Sequence, residues 1–426
     1  MKAFRSRICG LLFFFAVSLS GLHGWAQSAQ YPDTLRVTLQ QAETIFTANN
    51  LSLLAAHYNI DINKALVLQA KYWDNPYLST DQNVYDGGWF RHYDGYGQVY
   101  IQLSQLIKTA GKRKKLIQLS NDNVLTAEQQ FSDMMRNLHY LLETDLTELS
   151  RLQSSNAVLL RESASLRQLS SAMEAQLAAG NISSKENLRV KGLYFSIQSE
   201  QVETEKQIDD VQRELHTLLQ LQNNRMIEYS PQDSTTSISS IPSLDALIDT
   251  AKNNRPDLIM ANIGLLNQQH NLTYQKALVA PDVTVGVEYD KASNYLPNYW
   301  GLAVGLPIPI LNRNKGNINA AKISIEQAKV VQQQSGSRVE QEVIAAYNKL
   351  QKSLNIYKQG AGQLDQQYDN MLQNMTNSYR QRQIGLLEFI DFFESYKDVK
   401  LRRIQQQADL SNAMAELSFT TAHHFN

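Results

Sequence analysis

Thr38-Leu39 and Ser243-Leu244 each open a helical pattern that runs to Asn49-Asn50 in one case and to Asn254-Arg255 in the other, a shared offset of 243 − 38 = 205 residues. The same offset carries Pro76 to Pro281, Gly111 to Gly316 and Gly180 to Gly385. A repeat of this length constrains the fold more than any local motif, because both copies must form the same elements in the same order. Two copies without net insertion end at 221 + 205 = 426, the last residue. The Ser-, Thr- and Pro-rich stretch 230–243 reads as the linker between them.

Each copy reads as a helix, a proline, two strands, a very long helix, a turn and a second helix. In the first repeat, 27–229, the expected elements are helix 39–70, strands 77–86 and 96–106, long helix 113–178 and helix 184–221. In the second, 244–426, they are helix 244–277, strands 282–290 and 299–308, long helix 316–382 and helix 386–424. No proline stands between Pro76 and Pro231 or after Pro309, and Phe131, Met135, Leu138, Leu142, Leu146 and Leu149 step by three and four, the spacing of a coiled coil. The return helix spans only about half of the outgoing one, so the economical packing sets a long helix beside two short ones stacked end to end. Glutamine runs such as Gln332, Gln333 and Gln334 mark solvated faces.

The strands alternate with period two. Val283, Val285, Val287 and Tyr289 share one face, Thr284, Gly286, Glu288 and Asp290 the other, and Trp300, Leu302 and Val304 repeat the device. In the first repeat Val99, Ile101 and Leu103 oppose Gln98, Tyr100, Gln102 and Ser104 in the same way, while Tyr77 to Tyr85 alternates only weakly. A strand of about 10 residues suits a tilted bilayer crossing with one face to lipid and one to a wet lumen. On that reading Val283, Val285, Val287, Trp300, Leu302 and Val304 face lipid, with Trp89, Phe90, His92, Tyr93, Tyr295 and Tyr299 at the interface. The other use of such strands is a soluble hairpin over a core. Four strands cannot close a membrane barrel, whose smallest form has about eight, so several chains must share one.

Lys2, Arg5 and Arg7, an apolar run from Leu11 to Leu19 and small residues up to Ala26 read as a secretory signal peptide, residues 1–26. Its removal takes the only cysteine, Cys9, and leaves 37 basic against 41 acidic residues, a net charge of −4. Nucleic acid is therefore not an expected partner, and neither disulfide nor thiolate-metal chemistry is open. His57, His92, His139, His216 and His270 lack ligand spacing, His423-His424 is a terminal pair, and no phosphate loop, HExxH or nucleophile elbow occurs. No enzyme activity, cofactor or metal site is expected. The basic run Lys112, Arg113, Lys114 and Lys115, matched by Arg313 and Lys315, falls where strand passes to helix and would meet lipid headgroups or favour helix entry.

Residues 301–316, GLAVGLPIPILNRNKG, followed by Asn319-Ala320-Ala321, complete a resemblance. With the duplicated element order, this text resembles the outer-membrane efflux proteins of TolC type, and its Asn312-Arg313-Asn314 and Gly316 resemble the heavy-metal (cobalt-zinc-cadmium) efflux branch. The resemblance implies a mainly α fold with a membrane β-barrel contribution: a homotrimer whose four strands per chain close a 12-stranded barrel continued by a periplasmic helical tube. It implies a passive outer-membrane exit duct in a Gram-negative bacterium, serving heavy-metal or multidrug resistance beside a periplasmic adaptor and an inner-membrane pump of RND type. The family's tube closes at carboxylates six and nine residues after the second turn glycine, here Asp391 and Glu394, with Glu186 as the acid six after Gly180 and Arg382 as a pairing partner for Glu186. Where some relatives carry Tyr three before that glycine and Arg two after it, this chain has Arg382 and Leu387. The turns around Gly180, Asn181, Gly385 and Leu386 are the expected adaptor-docking surface. A soluble periplasmic coiled-coil adaptor or scaffold is the alternative; it accounts for the helices but not for duplicated strand pairs.

Overall fold

The computed structural model describes residues 34–85, 87–92, 97–222, 225–230, 241–293, 296–359 and 363–423; the signal segment, Tyr93, Tyr295, His424 and most of the linker lie outside them. The first half runs β1 (Thr34–Val37), α1 (Leu39–Asn49), α2 (Leu51–Lys71), β2 (Tyr77–Gln82), β3 (Val99–Ile107), α3 (Lys112–Ala178), α4 (Ser184–Leu219) and β4 (Met226–Tyr229). The second runs α5 (Leu244–Asn254), α6 (Pro256–Ala277), β5 (Val283–Ala292), β6 (Pro297–Gly305), α7 (Lys315–Gln359), α8 (Gln363–Arg380) and α9 (Leu386–Thr421).

Each expected leading helix, 39–70 and 244–277, is two helices. Asn50 ends α1 and caps α2: its Oδ1 accepts from the Ser52 and Leu53 N–H groups at 3.0 and 3.1 Å, and its Nδ2 donates to the Leu218 carbonyl at 2.9 Å. In the second repeat Arg255 takes an extended backbone, φ −69° and ψ 119°, as the residue before Pro256 must to avoid the proline ring. Of the expected long helix 316–382 the described residues form α7 and α8, and residues 360–362 between them lie outside the described residues. β6 stops at Gly305, short of 308, because Pro307 has no N–H for the ladder. β2 stops at Gln82, after which Tyr85 and Trp89 form an isolated bridge.

β1 and β4 pair in parallel, with Thr34 opposite Met226 and Val37 opposite Tyr229. The buried Gln212 amide completes the pairing: it donates to the Ile227 carbonyl at 2.6 Å and accepts from the Ile227 N–H at 2.9 Å, as a neighbouring strand would.

The other four strands form one antiparallel sheet in the order β2-β3-β5-β6. Helices follow the same order. α2 runs beside the first part of α3, with Arg113 over the Trp73 ring near one end and Asn59 bonded to Gln130 farther along, and α4 takes over beside the rest, with Lys191 paired to Glu174. On the other side of α3 stand α6, through His270 to Asp122, and α9, through Arg136 to the Phe419 carbonyl. α7 then packs on α6, with Gln332 bonded to Asn262, and on α9, with Lys349 paired to Glu416. Four helical columns therefore continue four strands, and α3 alone, at 67 residues, is roughly 100 Å long.

Apolar cores hold each half together. Phe46, Leu142, Leu146, Leu149, Leu215 and Ile227 are buried in the first, and Leu247, Val339, Val343, Leu350 and Leu410 in the second. The seam between halves is apolar toward the turns, where Leu166, Leu169 and Met173 of α3 are buried with Phe389, Ile390 and Phe393 of α9, and polar toward the sheet. Asp122, 3% exposed, accepts from His270 Nδ1 at 2.6 Å, and Lys112, 5% exposed, reaches Asp282 at 2.7 Å. Within the second half, Arg255, 2% exposed, forks onto Asp257, bonds Glu342 at 2.5 Å and donates to the Thr420 carbonyl at 3.4 Å. Removing one member of such a buried set leaves charge unpaired, so Arg255→Ala should lower unfolding stability by about 3–5 kcal/mol in a denaturant titration of the helical circular dichroism. A loss below about 1 kcal/mol would mean the cluster is solvated in practice.

Candidate functional site: the strand faces and the helical tip

Register sets the sheet's two faces. Val285 lies opposite Val304, Val287 opposite Leu302 and Leu103, and Tyr289 opposite Trp300 and Ile101, so one face is apolar across three strands. Trp300, Leu302 and Val304 are 70%, 71% and 65% exposed and Val287 is 50% exposed, while Val283 and Val285 are half-buried. On the opposite face Tyr100 donates to Glu288 at 2.8 Å and Gln98 donates to Asp290 at 2.8 Å. The sheet's edges, β2 and β6, have no partner strand among the described residues. No helix among the described residues is long and apolar enough to cross a membrane.

At the far end of the helices two turns lie side by side, and the repeat offset has drifted there. N-caps Thr38 and Ser243 differ by 205, but the N-caps of α4 and α9 are Ser183 and Gly385, a difference of 202. The counterpart of Gly180, in the left-handed conformation at φ 72°, is therefore Arg382, at φ 59°, and not Gly385, whose φ is −77°. Tyr379 stands three residues before that left-handed residue. Glu186, the third residue of α4, matches Glu388 and not Asp391. The first turn needs its glycine, since no L side chain adopts φ 72° without strain.

Glu186 caps α4, accepting from the Ser183 N–H and hydroxyl at 2.9 Å each, and these bonds hold its carboxyl below the usual range. Arg382 donates instead to Gln176 Oε1 at 3.1 Å, the same oxygen that takes Asn181 Nδ2 at 2.9 Å. The structure does not join Arg382 to Glu186 among the described residues; Gln176 is what clasps the two turns. It was missed because a glutamine on a glutamine-rich helix carries no signal. Beneath it Tyr379 stacks on Phe389 at 5.2 Å and donates to Met173 sulfur at 3.2 Å. Leu386 is buried in this cluster, so the side chain presented at the turn is Leu387, 63% exposed. Asp391 and Glu394 are exposed on the face of α9 opposite Phe389 and Phe393, in a stripe with Glu388 and Asp398.

One acid inside the coil was not foreseen. Glu162 is 3% exposed in α3, and neither of its carboxyl oxygens has a hydrogen-bond partner among the described residues. Burial pushes its carboxyl up to about 8; Lys397 of α9 works against this, but its ammonium is already bonded to both oxygens of Glu200 at 2.8 and 3.0 Å. Farther up α3, burial raises Glu143 to about 7 and Asp145 to about 6.

These features define a class: an open four-stranded sheet with one apolar face, extended by four helical columns to a clasped tip, with edges that other copies can continue. Residues 45–220 match the outer membrane efflux protein family model. Among solved structures the chain resembles the Campylobacter jejuni CmeC outer membrane channel at 13% identity and TM-score 0.75, covering 91% of this chain and 86% of that one. It resembles the open state of the Neisseria gonorrhoeae MtrE outer membrane channel at 15% and 0.72, covering 90% and 89%, and the Vibrio cholerae outer membrane protein VceC at 15% and 0.68, covering 91% and 97%. Among curated proteins none matches the sequence. The resemblance to outer-membrane efflux proteins of TolC type read from the sequence is what the comparisons find, by sequence in the first repeat and by fold over nine-tenths of the chain. Among the described residues no group of three metal-binding side chains converges.

Glu162 makes stability fall as pH rises. The folded chain keeps its proton up to about pH 8, whereas the unfolded chain releases it near 4.5, so the penalty is absent below about 4, grows across that window and is constant above it. Glu162→Gln should flatten the decline of the thermal midpoint between about pH 5 and pH 8, and parallel curves for the two proteins would show that Glu162 ionises freely in the fold.

Proposed function

We propose that three copies of this chain form an outer-membrane duct through which solutes leave the cell passively, handed on by a periplasmic adaptor and an inner-membrane pump. Channels of the outer membrane efflux protein family are homotrimers that work with such components. The single observation that carries the reading is the match between strand order β2-β3-β5-β6 and the order of the helical columns, with both edges of the sheet open. Each chain is then one slice of a continuous wall, and three slices make 12 strands over 12 columns, above the eight that a closed membrane barrel needs. The apolar face of Trp300, Leu302 and Val304 turns to lipid and the face of Glu288 and Asp290 lines the lumen.

Asp391 and Glu394 supply the selective constriction. On a three-fold tube each becomes a ring of carboxylates on an exposed helix face, which draws cations and narrows only against its own repulsion. The tip turns, with Leu387 outermost, are the adaptor's docking surface. The cargo, metal ions or drugs, is set by the pump.

Two measurements test this. The detergent-purified protein should have three times the mass of one chain and should conduct in a planar bilayer; a soluble monomer that never conducts would leave a coiled-coil scaffold as the account. In conducting trimers, Asp391→Asn with Glu394→Gln should weaken block by divalent cations about tenfold while leaving assembly intact, and unchanged block would remove the two acids from the constriction.

A further inference from the structure

The four places where a strand meets a helix are cross-linked into one transverse seam. Lys108 pairs with Asp74 at 3.0 Å and Gln105 donates to the Asp74 carbonyl at 2.7 Å, which ties β3 to the end of α2. Thr109 donates through its N–H to Asp282 at 2.9 Å, and Lys112 bonds Asp282 and the Ala280 carbonyl, which ties α3 to the start of β5. Asn314 donates to the Gln275 carbonyl at 2.8 Å, which ties α7 to the end of α6. Both acids of the seam, Asp74 and Asp282, are spent on Lys108 and Lys112.

What remains is positive. No acidic residue occurs between Asp94 and Asp122 or between Asp290 and Glu326. Lys114, Arg313 and Lys315 have no ion-pair partner among the described residues, and Lys114, Arg313 and Lys315 are all exposed. Directly before Arg313 stands an apolar run with nothing packed on it: Ile308 is 74%, Ile310 66% and Leu311 98% exposed. Pro307 and Pro309 keep this run out of both strand and helix. Trp73, 61% exposed beneath the Arg113 guanidinium at 3.9 Å, adds an aromatic at the same level. Apolar side chains, then an aromatic, then unpaired cations is the order of chemistry met on leaving a bilayer core through its headgroups.

We propose that this seam is a docking surface for anionic phospholipids of the periplasmic leaflet, with Lys114 on one column and Arg313 and Lys315 on another meeting headgroup phosphates, and Ile308, Ile310 and Leu311 among the acyl chains. It rests on the reading of the strands as membrane-spanning. Charge complementarity selects the occupant: a zwitterionic headgroup offers a phosphate together with its own cation, whereas phosphatidylglycerol offers the phosphate alone. The rigid seam holds the cations at one depth, so the surface also fixes how far the sheet enters the membrane.

The full-length protein would be extracted into mild detergent, mixed with equal phosphatidylethanolamine and phosphatidylglycerol, and read by native mass spectrometry for retained lipid, with conductance recorded from the same preparation. Wild type should retain phosphatidylglycerol in preference, and the preference should fall with added salt. The triple variant Lys114→Gln, Arg313→Gln, Lys315→Gln should lose it by at least about tenfold, since each surface cation is worth about fivefold. Mass and single-channel conductance should stay unchanged, and the same charges removed elsewhere (Lys206→Gln, Arg213→Gln, Lys352→Gln) should have no effect. Equal retention of both lipids by wild type would overturn the proposal. So would a triple variant that keeps its lipid but shifts the reversal potential, which would put the cations in the lumen, or one that keeps its lipid but falls apart, which would put a second copy on the surface. The duct and the lipid surface fail separately: a conducting trimer without lipid preference sinks only the second, and a protein that retains phosphatidylglycerol but never conducts sinks only the first.

Discussion

An open sheet edge in hydrocarbon leaves a row of N–H and C=O groups without any partner, and each costs several kcal/mol. β2 and β6 are open edges that nothing else in the chain covers among the described residues, and on the proposed reading they lie in hydrocarbon. The rest of the architecture answers that constraint. Because every strand is continued by its own helical column, closing the sheet with further copies also closes the helices, so one set of contacts completes both layers. The exposed apolar side chains of the outer columns fit this: Tyr58, Ile62 and Leu66 on α2, then Leu188, Phe195 and Val202 at heptad spacing on α4, are uncovered in the single chain.

Inside the chain the forces divide by place. Within each half, leucine, valine and phenylalanine at coiled-coil spacing bury without polar demands. Between the halves α3 meets α6 through Asp122 and His270, and α9 through Arg136 and, toward the turns, through the apolar cluster around Phe389 and Phe393. Such buried polar contacts contribute little net stability against an apolar equivalent, but they fail sharply when misaligned, which sets the register of one repeat against the other. In long, nearly uniform helices register is the property most at risk. A slip of one turn would cost an apolar seam little, and it would part Asp122 from His270 and Lys112 from Asp282.

Sequence periodicity made the long helices, the strand faces and their order legible, because hydrophobic spacing reports which face is buried and little else. Asn50 was visible as a residue but not as a break, since a capping side chain terminates a helix through a hydrogen bond that hydrophobic periodicity does not record. β1 and β4 are four residues each and complete their pairing with a glutamine from α4, a contact no local window contains. The tip misled for a different reason. Gly180 and Gly385 align in the sequence, yet one takes the left-handed turn and the other the N-cap, and Arg382 fills the position where glycine was expected. A non-glycine residue there is strained by about 1 kcal/mol, and its side-chain bond to Gln176 offsets part of that. Glu162 was illegible for the same kind of reason, because a charged residue on a polar helix gives no sign that both neighbouring columns close over it.

The ties at the tip are unequal, and on the proposed reading that inequality bears on how the duct would open. α8 and α9 are joined twice through Asp369, which takes the Tyr396 hydroxyl at 2.7 Å and the Lys400 ammonium at 3.0 Å. α9 meets α4 through Lys397 and Glu200, and the second turn meets the first through Gln176, whose two donors share one oxygen. The Gln176 oxygen has a lone pair for each donor, but a bond to a neutral amide is weaker than the ion pairs that join α9 to α8 and to α4. Any outward movement of the acidic stripe on α9 therefore carries α8 with it and parts at Gln176 first. The apolar cluster behind that clasp is shared between the columns, with Leu166, Leu169, Met173, Val190 and Ile197 of α3 and α4 buried against Phe389, Ile390 and Phe393 of α9, so separation uncovers apolar surface on both sides and burial, more than the clasp, holds the tip together.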